Sequence, residues 1–169
     1  QTCALPILIM SVPLGFTLAA MLGLVTIEGV WMWALWIVSA AWFWFMWLVH
    51  WRRKAPEGAA LARWDWRFRY PLIAFFFGSG VWSLATGWPY PTVWLALKVT
   101  LFAGAMVCGI FVRYCIREAY KSAIPAIAAD RATDADNAEF RLWMVRGTWA
   151  LVVLWVILFT IGALGALKP

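Results

Sequence analysis

Five long apolar stretches, each closed off by charged or turn-forming residues, run along the chain at about 8–25, 31–51, 70–86, 92–112 and 147–167. A hydrocarbon layer of ~30 Å needs ~20 apolar residues in an α-helix rising ~1.5 Å per residue. The pattern therefore predicts an all-α fold, a polytopic transmembrane helical bundle with five spans in a single domain covering 8–169. The first stretch contains Pro13, where a missing amide donor predicts a kink. In the second, Trp33, Trp36, Trp44, Trp47 and Trp51 recur at helical spacings, a stripe suited to packing and lipid contact. The third sets Ala74 and Gly78 one turn apart, and small residues at this spacing let helix backbones approach each other in lipid.

The polar segments predict the boundaries. ARWDWRFRYP, with Arg63, Arg67 and Arg69, reads as an interfacial linker, basic and aromatic, suited to anionic lipid headgroups. GWPYP at 87–91 reads as a tight turn, and 122–135 as a loop containing Pro125. Asp136 and Glu139 have the spacing of an N-terminal cap, which would open the last helix near Asn137. The first seven residues, QTCALPI, resemble the in-frame translation of a sequencing adapter. They are read as a non-native segment on an N-terminally truncated chain.

Charge orients the bundle. Of the 14 lysines and arginines, six lie between Arg52 and Arg69 and six between Arg113 and Arg146, leaving only Lys98 and Lys168 elsewhere. By the positive-inside rule the two long links face the cytoplasm and the C-terminus lies outside. Seven of the eight acidic residues fall on the same side, and Glu28 alone lies opposite. A composition of 65% hydrophobic and 13% charged residues excludes an ordinary soluble domain. The net charge of +6 does not indicate nucleic acid, because the bases gather at helix ends.

Candidate chemistry is sparse. Cys3, Cys108 and Cys115 form neither a disulfide framework nor a CxxC pair, and the six methionines are scattered with no MxM or MxxM pair. His50, the single histidine, sits at the basic end of the second span, where solvation is a simpler role than metal or haem ligation. No triad or phosphate loop is visible, so an enzymatic role has no support in the residues. Lys98 stands out, because a lysine inside a span costs up to roughly 2.5–3.5 kcal/mol at the bilayer centre and is a functional candidate by default. It shares a helical stripe with Trp94, Ala105, Gly109 and Ile116, which points it toward other helices. Snorkelling to the nearer headgroups is the alternative. An outward reach to the Glu28 carboxylate would pin the fourth helix against the first hairpin.

The string Trp94-Leu95-Ala96-Leu97-Lys98 resembles the W-L-x-x-K motif of the bacterial copper-resistance-D and protoporphyrinogen-oxidase-type membrane proteins. The segment Pro71 to Gly80 and the final helix ending at Lys168-Pro169 are similar to that superfamily too, so the likeness covers about 31–169. It implies a small bundle in a bacterial inner membrane that handles a metal ion or small solute, with Lys98 at the family's lysine position. A non-catalytic membrane subunit is a further alternative. The porphyrin-oxidising members carry a haem-binding histidine where this chain has Leu35 and Trp36. That activity would need a ligand upstream of residue 1.

Overall fold

In a computed structural model, residues 4–27, 29–52, 58–128 and 133–167 are described, and among them every regular element is an α-helix. The five helices are α1 (Ala4–Met21), α2 (Gly29–Trp51), α3 (Gly58–Thr86), α4 (Val93–Ala128) and α5 (Asp134–Leu167). Three of them, α2, α4 and α5, are long and apolar enough to cross a membrane among the described residues. The apolar part of α1, Ile9–Met21, is shorter, and α3 carries charge in its first half.

Several helix ends differ from the sequence expectation. The first helix stops at Met21 rather than near Val25, because Gly23 adopts a positive φ of 69°. That residue starts a Schellman cap, with Leu24 N–H donating to the Ala19 carbonyl at 2.9 Å and Gly23 N–H to Ala20 at 3.0 Å. The linker ARWDWRFR is helical, so α3 starts at Gly58 and not near Tyr70. The expected loop at 122–135 is mostly absent, since α4 runs through Pro125 to Ala128. The last helix opens at Asp134 rather than Asn137, because Thr133, not Asp136, is the cap. Thr133 N–H and Oγ1–H both donate to Asp136 Oδ2, at 2.9 and 2.7 Å, and Asp136 N–H returns a bond to Thr133 Oγ1.

Consecutive helices pack antiparallel, and α4 is the spine. It packs most extensively on α5 and α3, while among the described residues α5 packs on no helix but α4 and has no buried residue. Along the α4–α5 seam, Gly147 lies against Cys115, Gly104 against Ile157 and Gly165 against Lys98. On the other side of α4, Phe76 meets Phe102 edge-on at 5.4 Å. A core of Ile9, Trp42, Phe76, Tyr90, Ala96, Val99, Ala103 and Met106 joins α1 to α4. On α2, Trp31, Trp33, Trp44, Trp47 and Trp51 stay exposed. Trp36 turns inward and donates to Thr17 Oγ1 at 3.1 Å.

A close approach between α3 and α4 falls at Gly80, not at the expected Ala74–Gly78 pair, which is exposed. A Cβ at Gly80 would collide with Thr100 Oγ1 and lie 2.9 Å from the Thr100 backbone nitrogen. At Gly78 it would meet nothing within 4 Å. Gly80→Ala should therefore lower stability in detergent by about 1–3 kcal/mol, as overpacking does, while Gly78→Ala stays near wild type. Thermal denaturation of the two variants side by side checks this, and equal melting temperatures would contradict the close crossing.

Candidate functional site

The basic end of the bundle contains a charge cluster that is largely buried. Successive turns of α3 carry Asp65 and Arg69, and the i, i+4 spacing brings their side chains together. Arg69 grips the carboxylate with two prongs, Nε to Oδ2 at 3.1 Å and Nη2 to Oδ1 at 3.0 Å. Both residues are deeply buried, Asp65 at 2% exposure and Arg69 at 5%. From α4, Arg113 Nη1 reaches Asp65 Oδ2 at 3.4 Å, so two guanidiniums converge on one carboxylate. From α2, Met46 accepts a bond from Arg69 Nη2 to its sulfur at 3.3 Å, and the Trp42 ring lies 5.9 Å from Arg69 Cζ. Phe68 closes the cluster edge-on against Trp42 at 5.5 Å.

The cluster joins three helices. The apolar run of α4 extends to Val112, and Arg113 follows it directly, level with Asp65 on α3. An ionic group costs several kcal/mol to bury and persists only where it is paired and hydrogen-bonded. Around this boundary other arginines lie over aromatic rings, Arg67 over Trp64, Arg117 over Tyr114 and Arg146 over Trp143. Arg117 and Lys121 also share the Glu118 carboxylate.

The residues singled out from sequence fall elsewhere. Lys98 lies one helical turn past Trp94, with Nζ 5.3 Å from that ring's centroid, at the opposite end of α4 from the charge cluster. Its ammonium rests against α5, where a Cβ on Gly165 would lie 2.5 Å from Nζ. Gly165 lies two residues before Leu167, near the described end of α5. Glu28, the expected partner of Lys98, lies outside the described residues. His50 is exposed at the end of α2, Leu35 is half-buried, and Trp36 faces α1. Among the described residues no three His, Cys, Asp or Glu side chains group to hold a metal ion.

A separate groove of about 460 Å³ at the other end of α3 is lined by Phe75, Ser79, Trp82, Trp88 and Tyr90. Its rim is braced by Ser83, whose hydroxyl donates to the Tyr90 carbonyl at 2.8 Å and accepts from the Tyr90 amide at 3.1 Å.

The sequence reading placed Asp65 and Arg69 in an interfacial linker and so missed the cluster. The available signal was the acid-then-base i, i+4 spacing just before an apolar run.

Two predictions follow from these contacts. Asp65→Asn leaves Arg69 buried without its anion and should cost about 3–5 kcal/mol, against ~0–1 kcal/mol for Arg117→Gln on the exposed rim. Thermal melts in one detergent compare them. Gly165→Ala should push aside only the flexible tip of Lys98 and lower the melting temperature slightly at most, a loss that the additional change Lys98→Met should remove. A double-mutant cycle measures this coupling.

No family model matches the chain, and neither the curated proteins nor the solved structures contain a match.

Proposed function

We propose that the chain is a five-span, copper-resistance-D-like protein of a bacterial inner membrane, whose helical bundle binds a small solute or metal ion. In this reading α1 and the apolar half of α3 complete the set of spans, the basic end faces the cytoplasm and the C-terminus faces the periplasm. The supporting observation is the Asp65–Arg69–Arg113 cluster. An ionisable group turned into a membrane bundle is a functional-site hypothesis by default, and this cluster supplies three. The shared position of the described bases other than Lys98 at one end supports the orientation. Anionic headgroups are the natural neighbours of Arg67, Arg117 and Lys121, whose side chains are exposed there.

Orientation is tested by cysteine labelling. Cysteines replacing Ala59 and Ser122 should react with an impermeant thiol reagent only after the cytoplasmic face is opened. Labelling of either in intact cells would reverse the orientation. Solute binding is tested by thermal stability, since a ligand that binds only the folded state raises the melting temperature. Purified protein scanned against Cu(I), divalent cations, inorganic phosphate and small carboxylates should be stabilised by at least one of them. No shift from any at millimolar concentration would overturn the solute-binding reading.

A further inference from the structure

We propose that the basic end of the α4–α5 seam is a seat for one anionic phospholipid, with Arg146 holding the phosphate and the apolar stripes beneath it lying along the acyl chains. The proposal rests on the reading of this end as a membrane boundary, and it names one partner there. A row of side chains crosses the seam. Arg117 Cζ lies 5.2 Å from the Tyr114 ring centroid, Tyr114 meets Trp143 edge-on at 5.7 Å, and Arg146 Cζ lies 4.8 Å from the Trp143 centroid. Two guanidiniums thus flank a pair of aromatic rings contributed by two helices. Such stacking holds a guanidinium in place and leaves its N–H groups free to bond.

The row is rich in donors and poor in acceptors. Arg117 is bonded to the Glu118 carboxylate, which Lys121 shares. Arg146 is exposed and makes no ion pair or hydrogen bond among the described residues, and neither the Tyr114 hydroxyl nor the Trp143 indole N–H meets an acceptor among them. A guanidinium can bond two phosphate oxygens at once, with both bonds strengthened by charge. Basic sites between membrane helices suit anionic headgroups for this reason.

Toward the bilayer centre the same surface becomes apolar. On α5, Trp149 and Val153 follow Arg146 at spacings of three and seven, one helical stripe, and both are exposed. On α4, Phe111 stacks against Tyr114 with centroids 6.5 Å apart, and Val107 continues the stripe one turn further, both of them exposed. A phospholipid has this order of parts, charge outermost and hydrocarbon beneath. A dissolved anion would use the charge and leave the stripes uncovered. Among the described residues α5 packs on no helix but α4, so lipid reaches its side of the seam directly.

The test reconstitutes the whole purified chain in phosphatidylcholine nanodiscs with increasing phosphatidylglycerol and counts retained lipids by native mass spectrometry. Wild type is compared with Arg146→Gln and Arg67→Gln. Both arginines are exposed and lie over a tryptophan, so both variants should fold, and Arg67 is on α3, outside the seam.

Saturable retention of one phosphatidylglycerol by the wild type, weakened roughly tenfold or more by Arg146→Gln and unchanged by Arg67→Gln, is the expected result, as loss of a charge-assisted bond implies. Retention no tighter than that of phosphatidylcholine, or equal weakening by both variants, overturns the seat. Equal thermal protection by millimolar inorganic phosphate, lost in Arg146→Gln, would make this a site for a dissolved ion and overturn the lipid. The disc carries phosphatidylglycerol in both leaflets, so a reversed orientation of the bundle leaves the expected result unchanged, as does failure of the solute scan.

Discussion

Close approach of backbones to α4 is the constraint on which the bundle depends. Between helices surrounded by lipid there is no hydrophobic gain to hold them together, and association rests on packing density and a few polar contacts. The chain meets this by placing small residues along the seams. Gly80 admits Thr100 on the α3 side, while Gly147 and Gly165 admit Cys115 and Lys98 on the α5 side. Ala96, Ala103 and Ala119 on α4 are buried and add little bulk. With α4 in contact on two sides, α3 and α5 are held at fixed register without touching each other. Because α5 buries no residue, its wide apolar surface is left to lipid or to another chain.

The charges follow from this register. Antiparallel packing around α4 brings the first turns of α3 beside the last apolar turns of α4, so Asp65 meets an arginine 48 residues away. The same geometry sends Lys98 to the far end, against Gly165 of α5. One end of the bundle is therefore rich in guanidiniums, several of them laid over aromatic rings, and the other end holds the Lys98 ammonium over the Trp94 ring beside Gly165. Neither arrangement needs a soluble domain. The two differ in burial, and the Asp65–Arg69 pair is the more deeply withdrawn from water.

Much of the architecture was legible in the sequence, because apolar length and the distribution of bases are one-dimensional properties. All-helical structure, the approximate places of the five helices and the gathering of bases at one end could be read from the order of residues alone. Helix ends were less legible. Gly23 ends α1 through its own positive φ, and Thr133 displaces Asp136 as the cap of α5, choices that depend on local geometry among several competent residues. The charged run after residue 58 resembled a surface link because its composition is that of an interface, and only packing against α2 and α4 turns Asp65 and Arg69 inward.

The candidate site divides along the same line. Lys98 was visible as a charge inside an apolar run, and that needs no fold to see. Asp65 and Arg69 carried a weak local signal in their i, i+4 spacing, whereas Arg113, Met46 and Trp42 lie on other helices and carried none. Sequence order thus determined which segments are apolar, which are helical and where charge accumulates, since each is set by neighbours along the chain. Only the tertiary structure decided which glycine is a contact, which carboxylate is buried and which donors converge on it, because those depend on the rotation and register of helices about α4.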